Sequence, residues 1–346
     1  MDLKKFDYEL PKELIAQKPC QPRDHSRLMI LNRENKSITH DYFYNLGKYL
    51  KPTDVLVAND SKVVPARIQG KKPTGGKIEI LLIRPINAHQ WEIMVKGKVS
   101  PDLKIIFSKN LNGILEKKLS DQTWQINFNL SGVLFDKTIN KLGQTPTPPY
   151  IKRSSNLKEY QTIYANSPGS SAAPTAGFHF TKKLINNLKK QKISFEFVTL
   201  HVGPGTFLPV REENIKKHKM HAEWAEVSKK TADILNKAKN NQQKIIAVGT
   251  TSARTLEAFI KNGQLKSGTK WVDIFIYPGY KFSAQGRSAS GGKFIDGLIT
   301  NFHIPESTLL MLISAFADRD FILTAYQEAI RKKYRFYSFG DSMLII

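Results

Sequence analysis

Apolar and polar positions change rhythm along the 346-residue chain. From residue 182 onward, segments with apolar residues three and four apart alternate with short continuous apolar runs. In KKLINNLKKQK, 182–192, Leu184, Ile185 and Leu188 fall on one helical face behind Thr181, a plausible N-cap. ISFEFVTLHV, 193–202, reads as a strand ended by the breaker Gly203-Pro204-Gly205. An amphipathic segment over 229–240 precedes the strand IIAVG at 245–249, and a helix over about 252–261 stops at Gly263. WVDIFIYPG, 271–279, is a further predicted strand, 307–317 and 321–332 are predicted helices, and RFYSFGDSMLII closes the chain as one or two strands. DVLVAND, 54–60, adds a strand near the start. Such alternation predicts an α/β unit with a mostly parallel sheet and helices on both faces.

Between about 68 and 150 the pattern differs. KIEILLIRP, QWEIMVKGKV and TWQINFNLSGVLF are short β-rich runs, separated by Gly, Asn, Asp and Pro turn signals every ten or so residues. They predict a small antiparallel β-barrel or sandwich, with the Pro-rich TPTPPYIKR at 145–153 as the return path. The chain thus divides into a discontinuous α/β domain, 1–67 with 151–346, and an inserted barrel, 68–150.

Charge narrows the partners. There are 53 Lys and Arg against 30 Asp and Glu, a net charge of +23, which points to a polyanion such as nucleic acid. A single cysteine, Cys20, excludes an intrachain disulfide and a Cys-x-x-Cys site. The first residues carry no signal-like apolar core, and the longest apolar stretch, 309–317, is far short of the ~20 residues of a membrane span. A cytoplasmic protein without membrane association is expected, acting as a monomer.

Standard nucleotide signatures are missing. GRSASGGK, 286–293, has Arg287 at the required first glycine and Phe294 after the lysine, and Gly203-Pro204-Gly205 lacks a third glycine. Four loops rich in small and hydrogen-bonding residues remain: AAPTAGFHFT (172–181), TLHVGPGTFLPV (199–210), AVGTTSARTLE (247–257) and LITNFHIPEST (298–308). Loops at the carboxyl ends of strands form the ligand crevice of open α/β sheets, so a site is expected where these meet. Thr250, Thr251 and Ser252 stand where a strand hands over to a helix N-terminus, a place for an anion. Four of the eight histidines, His179, His201, His218 and His221, fall within 43 residues, and His303 lies in the fourth loop, favouring acid–base chemistry. His218 and His221 in HKMHAE have metal-like spacing on a helix, but no cysteine or aspartate stands nearby to complete a site, and no metal is expected. Cys20, in the Pro-flanked turn KPCQPRD, has no adjacent histidine to activate it.

With these loops in hand, the chain resembles the S-adenosylmethionine:tRNA ribosyltransferase-isomerase family of queuosine biosynthesis. The likeness runs through FDYELPKELIAQKP, RDHSRL, NDSKVVPARIQGKKPTGGKIEILL (59–82), TPPYIKR, APTAGFHFT, TLHVGPGTFLPV, HKMHAE, GTTSARTLE, IYPGY, LITNFHIPESTLLMLISAFA and YRFYSFGDSMLI, in that order. Ser61-Lys62 and Phe178 depart mildly from the family pattern, which has Thr-Arg and Leu there.

The resemblance implies an α/β domain with an inserted barrel. It also implies transfer of the ribosyl part of S-adenosylmethionine to the 7-aminomethyl-7-deazaguanine wobble base of tRNA, with rearrangement to an epoxycyclopentanediol and release of adenine and methionine. S-adenosylmethionine is then a consumed substrate, and no cofactor is expected. A sulfonium acidifies the ribose 5′ protons, so the reaction needs a base there, a neutral amine and a proton for departing adenine. His179 or His201 is the expected base. Pro174, Thr175, Gly177, Phe180, Gly203, Gly205, Thr206, Phe207, His218, His221, Glu223, Thr250, Thr251, Ser252, Arg254, Asn301 and His303 are expected around the substrates. Arg254 would hold the methionine carboxylate or lower the pKa of the ammonium. Asn59, Asp60, Lys62, Arg67 and Lys72 are expected on the tRNA. The rivals are an S-adenosylmethionine-dependent RNA methyltransferase, which would usually carry a Gly-rich loop after its first strand, and an RNA-binding module without chemistry, which would not need four polar loops around one crevice.

Overall fold

The computed structural model of the chain describes all residues except 154, 204–209, 211 and 283–293. Four strands come first: β1 (Arg27–Leu31), β2 (Ile38–Tyr42), β3 (Val55–Asn59) and β4 (Ser61–Val63). Then follow β5 (Arg67–Lys71), β6 (Lys77–Pro85), β7 (Gln90–Lys96), β8 (Lys104–Ile106), β9 (Asn112–Lys118) and β10 (Thr123–Phe128), and the helix α1 (Gly132–Leu142). β11 (Ser167–Ser170), α2 (Lys182–Lys190), β12 (Ser194–Leu200), β13 (Glu223–Val227), α3 (Lys229–Asn240), β14 (Ile245–Val248) and α4 (Thr250–Phe259) come next. The chain closes with β15 (Ile260–Lys261), β16 (Gln264–Leu265), β17 (Gly268–Val272), β18 (Gly297–Asn301), α5 (Thr308–Ala317), α6 (Arg319–Arg331) and β19 (Ser342–Ile345).

The main sheet has nine strands in the order β17-β13-β12-β3-β14-β18-β19-β1-β2. Its centre is buried on both faces, which explains the continuous apolar runs. Val55, Ala247, Leu298 and Met29 enter one core with α3, α4, α5 and α6. Their neighbours Leu56, Ile246, Ile299 and Leu28 enter the other with α2. Thr181 caps α2 by accepting from the Leu184 N–H at 3.1 Å, and Leu184 and Leu188 are buried.

The expected mostly parallel sheet is corrected to a mixed one. Four neighbouring pairs are parallel (β12/β3, β3/β14, β14/β18, β19/β1) and four antiparallel (β17/β13, β13/β12, β18/β19, β1/β2). Helical crossovers give parallel neighbours, but β13 and β17 add on antiparallel to β12, and β19 returns between β18 and β1.

β5 to β10 close into an antiparallel barrel in the order β10-β7-β6-β5-β8-β9. Ile68, Ile80, Ile93, Ile105, Leu115 and Ile126 fill it. Two local expectations fail. The run at the end of TWQINFNLSGVLF is not β: Gly132, at φ +55°, opens α1, whose Phe135 and Ile139 pack against the barrel core. The strand expected over 271–279 stops at Val272, beyond which Ile276 is buried outside any strand.

Candidate functional site

The parallel strands β12, β3, β14 and β18 deliver their carboxyl ends to one edge, and there a crevice opens with about 600 Å³ of space including its mouth. All four polar loops reach it: Pro174 and Thr175 from the first, Val202 from the second, Thr250 and Thr251 from the third, Asn301 and His303 from the fourth. Tyr150, Tyr337 and Ser338 complete the wall. Sequence reasoning missed these three as site residues, although TPPY and YSFGD were among the family motifs. Tyr337 carries a structural mark: its φ is +69°, a strained backbone for a bulky side chain. Its carbonyl accepts from Asn301 Nδ2 at 3.1 Å, and the Tyr150 hydroxyl lies 2.6 Å from Ser338 Oγ.

α4 begins at the crevice without a side-chain cap. Its N-cap is Gly249, at φ +92°, so no side chain there shields the free N–H groups. Thr251 is buried and its Oγ1 has no hydrogen-bond partner. An unpaired buried hydroxyl beside uncapped amides favours an anionic or strongly accepting ligand atom. Ser252, by contrast, donates to the Val248 carbonyl at 2.8 Å and is part of the helix start.

The two buried histidines differ in role. His303 lines the crevice, its Nε2 2.8 Å from Thr300 Oγ1, while its N–H donates to the Tyr326 hydroxyl at 2.8 Å. Burial lowers its pKa to about 3. His179 stands behind the wall. Its Nδ1 is 2.7 Å from Ser26 Oγ, and its Nε2 accepts from Asn301 Nδ2 at 3.2 Å, so Nδ1 carries the proton. Asn301 Oδ1 in turn accepts from Thr175 Oγ1 at 3.4 Å. Burial first, then Arg335 and Arg23, lower the His179 pKa to about 3. Both nitrogens are occupied, so the expectation that His179 takes a substrate proton gives way to a positioning role.

His201 points away from the crevice that its neighbour Val202 lines, as alternation along an extended chain requires. Its ring stacks on Trp224 with centroids 5.0 Å apart and planes 16° apart, and its buried Nδ1 has no partner. Burial lowers its pKa and Asp60 opposes this.

Arg254 does not face the crevice either. Its guanidinium pairs with Glu223 at 2.5 Å and donates to the Val272 carbonyl at 3.3 Å, and Glu223 accepts from the Gly203 N–H at 2.9 Å. The buried pair therefore anchors the start of the second loop, and the carboxylate role expected of Arg254 is corrected. Gly177 and Phe180 are packing residues: a Cβ on Gly177 would meet the Tyr164 hydroxyl at 2.1 Å, and Phe180 sits edge-on to Phe43. His218 packs against Phe275 outside any helix, and His221 is exposed. Among the described residues no cluster of His, Cys, Asp and Glu could hold a metal. Gly205, Thr206 and Phe207 lie outside the described residues.

Of the residues expected on tRNA, Asn59 is fully buried and extends the β3/β12 ladder, its amide bonded to both backbone groups of Leu200. Asp60 accepts from Thr199 Oγ1 at 2.6 Å. Arg67 pairs with Glu79 at 3.2 Å and donates to the Thr147 carbonyl, tying the barrel to the return segment. Lys62 is exposed, and Lys72 lines an open groove on the barrel with Lys71, Lys77 and Lys96.

Fold and crevice together define a ligand-binding α/β protein carrying a β-barrel. Residues 3–345 match the family described as "Queuosine biosynthesis protein", and the chain belongs to that family. It is 50% identical over 352 residues to the S-adenosylmethionine:tRNA ribosyltransferase-isomerase of Carboxydothermus hydrogenoformans, covering 100% of both chains. The enzyme of the same name from Thermoanaerobacter sp. is 49% identical over 355 residues, again with 100% of both chains covered. The crystal structure of S-adenosylmethionine tRNA ribosyltransferase from Thermotoga maritima aligns with a TM-score of 0.57 and 37% identity, over 99% of this chain and 100% of that one.

Proposed function

We propose that the crevice at the carboxyl ends of β12, β14 and β18 holds S-adenosylmethionine while the wobble base of a tRNA enters beside it. The chain is an S-adenosylmethionine:tRNA ribosyltransferase-isomerase, as full-length relatives at about half identity support. The observation that carries the placement is the meeting of four loops, far apart in sequence, on one wall of Thr175, Thr251, Asn301 and His303.

Roles follow from chemistry. The uncapped N-terminus of α4 and the Thr251 hydroxyl receive the methionine carboxylate, the only fixed negative charge of that substrate. His303 is the imidazole in the crevice wall, and its neutral form is the group there that can accept a ribose 5′ proton acidified by the sulfonium. The resulting ylide expels adenine, which leaves with a proton. The aminomethyl nitrogen of the deazaguanine attacks the ribosyl carbon, and ring closure releases methionine. His179 holds Asn301, and Asn301 holds Thr175 and the strained Tyr337 turn.

Single-turnover reactions on an anticodon stem-loop carrying the aminomethyl base test this. The wild type should release adenine and methionine together, and His303→Gln should lower the chemical rate by about 10²- to 10⁴-fold while both substrates still bind. Full rate in that variant would overturn the base assignment. Release of S-adenosylhomocysteine instead would overturn the reaction.

A further inference from the structure

An aromatic ribbon lies outside the crevice and outside the roles given above. Trp224 on β13 and Trp271 on β17 are directly paired across the antiparallel ladder, so their side chains share one face of the sheet. His201 stacks on Trp224 from the β12 side. From the other side the barrel brings Arg84, whose guanidinium lies 5.1 Å from the Trp271 ring centroid and pairs with Glu92 at 2.6 Å. Three adjacent strands span about 10 Å, so the three rings stand in a row of that breadth, with His201 covered by Gly169 and Trp271 at the open end. Trp271 is 47% exposed on an edge strand, in spite of the arginine over it.

The row is linked to the crevice along the chain, its rings lying on the other face of the extended chain from Val202. His201 precedes Val202 of the crevice wall, and Trp224 follows Glu223, which fixes Gly203. The geometry points to Trp271, the exposed end of the His201–Trp224–Trp271 row, as a stacking platform for an unpaired nucleobase of the tRNA anticodon loop other than the one that enters the crevice. Three arguments select that occupant. A base must leave its stack for the reaction, and its loop neighbours then need a new face to stack on. Aromatic faces beside a cation are how proteins bind single-stranded nucleic acid without reading its sequence. The net charge of +23 draws a polyanion to the protein, and Arg84 brings a cation to this patch. The inference rests on the tRNA substrate of the proposed reaction.

Stem-loop binding and tryptophan emission test it without reading any chemistry, so a failure of the proposed reaction would leave this result standing. The unmodified anticodon stem-loop should quench the emission, and part of that quenching should vanish in Trp271→Phe. Trp271→Ala should bind the stem-loop on the order of ten-fold more weakly, Trp271→Phe should retain most of the affinity, and S-adenosylmethionine binding should stay unchanged in both. Arg84→Gln, which keeps the ring, should quench as the wild type does. Unchanged stem-loop affinity in Trp271→Ala would overturn the proposal. A Phe variant as weak as the Ala variant would do so too, and so would quenching of Trp271 by S-adenosylmethionine alone, which would give the ribbon to the adenine of the small substrate.

Discussion

Acidification should destabilise this protein through two imidazoles whose folded pKa is about 3, His179 and His303. In the unfolded chain each titrates near 6.5. Between those values the unfolded state binds more protons, so stability is fully present above about pH 6.5 and is lost as pH falls toward 3. At pH 5 an unfolded imidazole is almost fully protonated and a folded one is not, a loss of about 2 kcal/mol per histidine relative to pH 7. The pair gives about 4 kcal/mol, or roughly a 5 °C fall in melting temperature for a chain of this length. Asp54 and Glu196, both raised by burial, pull the other way, so the informative quantity is the difference between variant and wild type. His179→Gln keeps a donor and an acceptor for Ser26 and Asn301 but cannot take a proton. Urea denaturation at pH 5 and pH 7 should show its pH dependence about 2 kcal/mol shallower than that of the wild type. Equal dependence, or a histidine resonance for His179 titrating near 6.5 in the folded protein, would refute the reasoning.

Three further outcomes are expected. Thr251→Val should weaken S-adenosylmethionine binding about ten-fold or more, the value of a hydrogen bond to a charged group, with tRNA affinity unchanged in a filter-binding assay. Arg254→Ala strands the buried Glu223 carboxylate and should cost about 3–5 kcal/mol of stability by calorimetry, and Glu223→Gln in the same chain should recover part of it. We propose that the barrel is a separate unit, so limited proteolysis should first cut near residues 67 and 150; cleavage confined to the chain termini would count against those borders.

Sequence periodicity carried the central fold because each central strand and its covering helices obey one local rule. β3, β14 and β18 are apolar on both faces, and α2 and α3 show apolar residues at helical spacing. Strand direction is not a local property. Nothing in EWAEV or GTKWV tells whether the next strand lies beside it or across a helix: β13 was not legible as a strand, β17 was legible only from Trp271 onward, and neither showed as an antiparallel neighbour. The four loops were legible for a similar reason: small polar residues after a strand mark a carboxyl end wherever it lies. Tyr150, Tyr337 and Ser338 reach the crevice from the barrel's return segment and from a turn with positive φ, and no spacing records either.

The misreading of His179 shows what residue type can and cannot tell. FHFT ends a short helical turn, and that turn aims the histidine into the wall, between Ser26 and Asn301. A neutral imidazole there is a rigid spacer that donates at one end and accepts at the other, across a ring too short of water to charge. Asparagine could offer the same pair of functions but would not span the gap or pack on Phe43, whose ring centroid lies 5.0 Å away. Protonation would turn the Nε2 acceptor into a donor facing the Asn301 amide, breaking the one contact that ties His179 to the crevice. Asn301 would then lose its hold while keeping its bond to the Tyr337 carbonyl, and Thr175 would lose a fixed partner. The folded imidazole stays neutral down to about pH 3, so the crevice wall should hold at pH 5, and His179→Gln and the wild type should keep S-adenosylmethionine affinity equally well there. A steeper loss of affinity in the wild type at pH 5 would show that the folded His179 takes its proton well above that range.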